Sequence, residues 1–328
     1  MASLLPASLT VRVPRESDLE AVSELFIACD LVDCGQPDSS LEMFRSDWND
    51  PKFHPETDAW MVVTSEGRTV GYASLDQQQY VRVRCEIRVH PDYRKQGIED
   101  HLLELVERRA AEFVPLAPPE ARVFVQSWMH HGNHPLQEVL KQHGYSCNRQ
   151  TWAMTIVLPE APVAPVWPAS ITLRPFVVER DARAVFAAND ESFQDHWGHL
   201  PGVFEDWYQR HILAPAHFDP SLWFIAMAGE EVAGIALCDY YLQDGIVNIL
   251  GVRRPWRRSG LGLALLHHAF GEFYRRGTYK VDLGVDSQNL TGATRLYERA
   301  GMHIELQYDT YSKDLRPGID LSTQTLEA

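Results

Sequence analysis

The chain has 328 residues, 45% of them hydrophobic, with 30 lysines and arginines against 45 aspartates and glutamates, a formal net charge of −15. That length predicts about two globular domains, and an acidic balance without a long basic block excludes a nucleic-acid backbone or an anionic membrane as partner. Five scattered cysteines without a CxxC pair, no basic apolar leader and no run of about 18 apolar residues predict a cytoplasmic protein with free thiols.

In chain order, Leu9 to Pro14 reads as a short strand and Ser17 to Cys29 as a helix. Met61 to Val63 and Val70 to Leu75 flank Glu66-Gly67-Arg68 as an antiparallel hairpin. The strand Val81 to Val89 leads through Arg94-Lys95-Gln96-Gly97-Ile98-Glu99 into an amphipathic helix reaching Phe113. Val123 to Gln126 is a strand, Pro135 to His143 a helix ended by Gly144, and Tyr145 to Val157 a closing strand. Prolines at 159, 162, 165 and 168 share one edge of a polyproline II helix, so residues 159–169 read as a semi-rigid linker.

The second half repeats the plan. Ile171 to Pro175 is a strand, Glu179 to Asn189 a helix, and Trp223 to Met227 with Val232 to Leu237 a hairpin across Gly229-Glu230-Glu231. Ile246 to Val252 leads into Arg257-Arg258-Ser259-Gly260-Leu261-Gly262 and a helix from Ser259 to Arg275, with Leu261, Leu265, Leu266, Ala269, Phe270 and Phe273 as its core stripe. Val281 to Val285 is a strand, Thr291 to Ala300 a helix ended by Gly301, and Met302 to Ser312 the last strand. In both halves a valine stands at the same distance before the glycine of the turn, Val89 before Gly97 and Val252 before Gly260.

A strand, a basic glycine turn and a helix together make an anion site: small residues let successive backbone N–H groups converge, and the first helical turn adds donors and the positive end of its dipole. In the second copy Gly260 and Gly262 leave that backbone uncovered. In the first, Glu99 puts a carboxylate where a diphosphate would lie, and like charges repel there.

With this element order, the second half resembles the GCN5-related N-acetyltransferase (GNAT) family over roughly residues 170 to 315. Two motifs carry the resemblance: Arg257-x-x-Gly260-x-Gly262, and the segment from Val285 to Met302 with Asn289, Ala293 and Leu296-Tyr297 before Gly301. The tandem arrangement, with the segment Glu191-Ser192-Phe193-Gln194-Asp195-His196-Trp197-Gly198 and its Phe-x-Asp-His pattern, is similar to the mycothiol synthase branch of that family. The resemblance implies an α/β fold of two tandem GNAT-like domains, each a mostly antiparallel central sheet flanked by helices: a degenerate, non-catalytic copy at 8–158 and a catalytic copy at 170–328.

It further implies acetyl-CoA as co-substrate, held by the backbone of Leu250 and Val252, by the turn of Arg257, Arg258, Ser259, Gly260, Leu261 and Gly262, and by Asn289. Tyr297 would bind there too and protonate the leaving thiolate. The acceptor would be a primary amine of a small molecule, such as an amino-sugar or aminoacyl thiol compound, with Asp239 or His196 as base and Asp195 and Asp286 as further candidates. In the first copy Leu140 stands where Tyr297 stands in the second, and leucine cannot donate a proton, although Asn133 matches Asn289.

Cys238 lies inside an apolar strand and reads as core, which favours direct transfer over an acetyl-cysteine route. His130, His131 and His134 lack the acidic or cysteine spacing of a zinc site, so no metal is expected. Trp197, Trp207, Tyr208, Trp223, Tyr240 and Tyr241 fall in segments that would flank an acceptor cleft, although core packing alone accounts for most of them. A CoA-sensing or partner-binding scaffold without catalysis is the alternative. Two similar halves can pack as a pseudo-dimer, so the chain is expected as a monomer or a homodimer.

Overall fold

In the computed structural model of the protein, residues 5–50, 52–215, 218–289 and 292–322 are described. The elements in order are β1 (Leu9–Arg12), α1 (Leu19–Asp33), α2 (Leu41–Trp48), α3 (Pro55–Asp58), β2 (Ala59–Thr64), β3 (Thr69–Gln78), β4 (Arg82–Val89), α4 (Ile98–Ala111), β5 (Val123–His130), α5 (His134–Gln142) and β6 (Ser146–Val157). There follow β7 (Ile171–Pro175), α6 (Val178–Phe193), α7 (Phe204–Tyr208), β8 (Trp223–Ala228), β9 (Glu231–Tyr241), β10 (Asp244–Val252), α8 (Leu261–Arg275), β11 (Lys280–Asp286), α9 (Ala293–Arg299) and β12 (His303–Arg316). The expected strands and long helices are present, α1 and α6 running further than their apolar pattern. The short helices α2, α3 and α7 carry too few turns to show a period. Leu290 and Thr291, quoted in the second motif, lie outside the described residues.

The chain forms two units, Met1–Gln150 with Gln307–Leu321, and Thr151–Leu306 with Ser322–Ala328. The first unit's sheet has the order β1-β2-β3-β4-β5-β12, antiparallel except for the parallel pair β4 and β5. The second has the order β7-β8-β9-β10-β11-β6, antiparallel except for β10 and β11. The linear division at the proline-rich stretch is therefore not the division of the sheets. Residues of β6 from Thr151 on pair with β11, and residues of β12 from Tyr308 on pair with β5. The parallel crossovers leave one equivalent place beside β5 and another beside β11, and either strand's alternating pattern suits both.

Within the second unit α8 covers one face of the sheet. Its stripe Leu261, Leu265, Leu266, Ala269, Phe270 and Phe273 is buried with Tyr297 and Ala300 of the α9 segment in a single cluster. Each such leucine or phenylalanine contributes about 1.5–3 kcal/mol of burial. Helices α6 and α7 bury Val185, Ala188 and Trp207 against Ile235 and Leu237 in a separate cluster. In the first unit Ile98, Leu102, Leu103, Val106 and Ala110 of α4 play the part of the α8 stripe. Among the described residues no helix is long and apolar enough to cross a membrane.

Candidate functional site

Strands β10 and β11 pair only at Gly245 with Val281 and Ile246 with Asp282, after which β10 continues to Val252 and β11 to Asp286 without pairing. The two strands thus open into a cleft. A bulge at Asn248, between the pairs Val247–Cys238 and Ile249–Leu237, adds twist just where the opening begins. The β11-facing edge of β10 around Leu250 and Val252 therefore presents backbone groups that β11 does not take up, at the residues where the family resemblance implies a ligand.

Beyond Val252 the chain turns into α8 through two left-handed residues, Arg258 at φ 62° and Gly260 at φ 90°, the latter at the helix N-cap. Arginine at that φ is strained, whereas glycine is not. The conformation turns successive N–H groups outward over the start of α8, with Arg258, Ser259 and Gly260 exposed and Leu261 buried beneath. Gly262 has little room for a side chain, since a Cβ there would lie 3.2 Å from Leu296 and 3.6 Å from Val252. Ser259 donates its hydroxyl to the Trp256 carbonyl at 2.7 Å, which tightens the turn.

Arg257 does something other than reach outward. Its Nε donates to the Val252 carbonyl at 3.2 Å, one terminal nitrogen to Asp195 at 2.6 Å and the other to the Ser192 carbonyl at 3.2 Å. Arg254 holds the second Asp195 oxygen at 2.7 Å. The motif arginine clamps the end of α6 to the glycine turn, and its charge is committed to Asp195. The Arg254 and Arg257 guanidinium groups keep Asp195 below the usual carboxylate range, which makes it a poor base.

Tyr297 is 8% exposed in the α8 core cluster, and its hydroxyl makes no hydrogen bond to the described residues. Burial pushes its pKa up to about 12, so it remains protonated at neutral pH. Asn289 follows β11, its amide nitrogen donating to the Asp286 carbonyl at 3.0 Å and its side-chain oxygen accepting from Ala293 N–H at 3.5 Å. It thus ties the turn to the start of α9. His196 is half-buried beside Phe193, with Arg257, Asp286, Asp195 and His199 around it. Burial lowers its pKa and favours the neutral ring that a base requires. Asp239 pairs with Ile246 at the closed end of the cleft and accepts Tyr240 N–H at 2.8 Å. The two base candidates are not brought together: Ile246 and Val252 are roughly 20 Å apart along an extended strand. Cys238 is 2% exposed and burial pushes its thiol up, as expected of a core residue.

The first unit keeps the loop and fills the cleft. Arg94 has the same backbone angles as Arg257, φ −62° and ψ 154°. It makes the same clamp, to the Val89 carbonyl at 3.2 Å and to Asp33 at 2.7 and 2.9 Å. Lys95 at φ 63° and Gly97 at φ 79° repeat the left-handed pair. Glu99, however, is 3% exposed, with its carboxyl beside the N–H groups of Glu99 itself and Lys95, although neither oxygen reaches hydrogen-bond geometry. Burial raises its pKa. To the expected block by like charge the structure adds occupancy: the Glu99 carboxyl is buried in the nest itself. Leu140 is fully buried in the α4 core cluster, and Asn133 caps α5 by accepting Leu136 N–H at 3.2 Å.

The cleft of the first unit holds an ionic cluster that sequence reading missed. Pairing of β4 with β5 continues to Cys85 and Ser127. Past that point Arg88, 3% exposed, pairs with Glu86 at 2.8 Å, and His130 lies 3.5 Å from Asp30 and 3.3 Å from Asp38. Burial alone would lower the His130 pKa, but Asp30 carries it up to about 9. His131 pairs instead with Asp309 at 2.8 Å, so the three histidines do not converge. In the second unit Trp207 and Trp223 belong to the α6 core cluster, the packing role expected of most of these aromatics, while Tyr240 packs on Phe273 at 5.6 Å. Ser192, which no motif singled out, is buried against Gly251 of β10.

The sequence pattern of the Acetyltransferase (GNAT) family matches residues 19–145 and 182–302. A mycothiol acetyltransferase of Nocardiopsis dassonvillei is 30% identical over 269 residues, 73% of this chain and 77% of its own. That of Catenulispora acidiphila is 26% identical over 307 residues, 89% of this chain and 94% of its own. Among solved structures, a GCN5-related N-acetyltransferase from Sphaerobacter thermophilus superposes with a TM-score of 0.85 at 37% identity, covering 98% of this chain and 100% of that one. A tandem GNAT protein from the clavulanic acid biosynthesis pathway shares the fold with a TM-score of 0.67 at 15% identity, over 95% of this chain and 100% of that one.

Proposed function

The chain belongs to the GNAT acetyltransferase family and is an N-acetyltransferase, and on that premise we propose that its second unit carries the reaction, with acetyl-CoA as donor and a small thiol-bearing primary amine as acceptor. The observation that carries this reading is the coincidence, in one unit only, of a glycine turn at Gly260 with no buried carboxyl in it, an unpaired β10 edge and a buried, protonated tyrosine. The nest residues Arg258 to Gly262 hold the diphosphate through backbone N–H groups. The backbone of Leu250 and Val252 takes the pantetheine amides and the acetyl carbonyl, while Asn289 holds the turn on the opposite strand. Most of the rate then comes from placement, because chain groups already oriented need no reorganisation.

Neutral His196 accepts the amine proton, directly or through water, and Tyr297 supplies one to the departing sulfur. Asp239, at the closed end of the cleft, is the second candidate for the base. The first unit serves as a scaffold, since Glu99 occupies its nest and Leu140 has no proton to give. The acceptor class rests on the mycothiol acetyltransferase relatives. A protein that only senses CoA has no need of Tyr297. The test is thiol release from acetyl-CoA with glucosamine, L-cysteine amide and cysteinyl-glucosamine. Turnover is expected with the thiol-bearing amines, and tight CoA binding without turnover of any amine would overturn the reading.

A further inference from the structure

Ser192 stands in the last turn of α6, one helical turn before His196. It is 5% exposed, and its hydroxyl has no hydrogen-bond partner among the described residues. Its place is fixed, because Arg257 holds the Ser192 carbonyl at 3.2 Å and Asp195 at 2.6 Å. The side chain faces Gly251: a Cβ built there would lie 2.9 Å from the Ser192 hydroxyl oxygen and 3.0 Å from its Cβ. Any residue but glycine at 251 would thus push on Ser192. A buried hydroxyl left unpaired costs stability, so one held in such a place calls for a partner.

The first unit shows what the pair becomes when the cleft is not used. Its clamped aspartate is Asp33, and the residue three positions before it is Asp30, as Ser192 is three before Asp195. At the place of Gly251 it has Arg88. Asp30 faces His130 and Arg88 pairs with Glu86, so charged side chains fill the space. The second unit has the two small residues instead, with one hydroxyl left over.

We propose that the Ser192 hydroxyl contacts the acceptor amine, accepting a hydrogen bond from its N–H as the nitrogen approaches the carbonyl carbon. This rests on the transfer reading above. Two facts give the direction. Gly251 lies between Leu250 and Val252, whose backbone takes the donor. Tyr297 belongs to the core on the α8 face, whereas α6 packs on the other face. The amine adds to one face of the planar thioester carbonyl and the sulfur leaves from the tetrahedral adduct; with Tyr297 on the α8 face, the approach left to the amine is from the α6 face, the side of Ser192 and His196. The bond made is nitrogen to acetyl carbon, the bond broken is carbon to sulfur, the amine proton passes to the base, and Ser192 itself is unchanged.

Steady-state kinetics of the full chain test this, with acetyl-CoA and whichever of glucosamine, L-cysteine amide and cysteinyl-glucosamine the wild type turns over fastest. Ser192→Ala should lower kcat/KM for the amine about three- to tenfold, the worth of one neutral hydrogen bond, and leave KM for acetyl-CoA within about twofold. Ser192→Cys, close in size but a poor acceptor, should move the same way, and Gly251→Ala should lose at least as much. An unchanged amine kcat/KM in Ser192→Ala would overturn the assignment. So would equal losses toward both substrates with a lowered Tm, the signature of a packing role. Wild type that turns over no amine would overturn the transfer reading and this contact with it.

Discussion

Replacing Tyr297 by phenylalanine removes one oxygen and leaves the ring in the α8 core. The hydroxyl makes no hydrogen bond to the described residues, so stability at pH 7 should change by less than about 1 kcal/mol. Burial holds the wild-type phenol at about 12, against an ordinary value near 10. Two units correspond to about 2.7 kcal/mol against the phenolate, and the proton is therefore present throughout the physiological range. Giving it to a thiolate of ordinary basicity, near 8.5, would be uphill by about 5 kcal/mol. The same burial raises a thiol, as Cys238 in that core shows, and a sulfur leaving into the pocket gains basicity with it. The expected outcome is a loss of about 10²- to 10⁴-fold in kcat, with KM for acetyl-CoA within about twofold, read by thiol release between pH 6 and 9. The sign of the stability effect follows from the raised pKa. Below pH 10 both states keep the proton; between about 10 and 12 the unfolded chain loses it first, so up to about 2.7 kcal/mol of stability drains away as pH rises. The phenylalanine variant should lack that alkaline slope. Retention of more than a third of wild-type kcat would refute the proton-donor argument.

Three further outcomes follow from the paired loops. Glu99→Gly should empty the first nest and raise the calorimetric stoichiometry of inorganic pyrophosphate from one to two; a value that stays at one would remove the plug argument. The whole chain is needed, because a fragment ending near residue 160 would lack β12 of its own sheet. Conversely, Gly262→Glu should install the plug in the second unit and weaken acetyl-CoA at least tenfold, about 1.4 kcal/mol, with unaltered affinity counting against the correspondence of the two sites. Asp195→Asn should cost about 1–3 kcal/mol in urea unfolding at pH 7 by breaking the clamp on Arg254 and Arg257. The folded pKa of Asp195 lies below its unfolded value; its contribution is present above about pH 4 and is lost as pH falls through the folded pKa. A midpoint equal to wild type would show that the clamp is not structural.

Arg257 marks the limit of what local sequence determines. Its spacing to Gly260 marked the nest, and the nest is there. The guanidinium nevertheless points to Asp195, a partner 62 positions earlier, and no local pattern announces a pair so distant. Only the recurrence of the same clamp at Arg94 and Asp33 would have hinted at it. Glu99 was legible as an obstacle from its place beside the turn. Its burial, which raises its pKa, depends on the core under α4. Ser192 and Gly251 were invisible for the same reason, being adjacent only because α6 lies across β10.

Periodicity, the glycine turns and the prolines determined two copies of one plan, the order of strands and helices, and the copy that keeps its nest and its tyrosine. These are local properties, carried by backbone sterics and by which face of an element is apolar. Tertiary structure alone decided that β6 completes the second sheet and β12 the first, that the arginine of the motif is a clamp, and that charged residues fill one cleft while the small residues Ser192 and Gly251 stand at the matching places of the other. An alternating strand is compatible with either of two equivalent sheet places, and a side chain's partner depends on which distant surfaces packing brings against it.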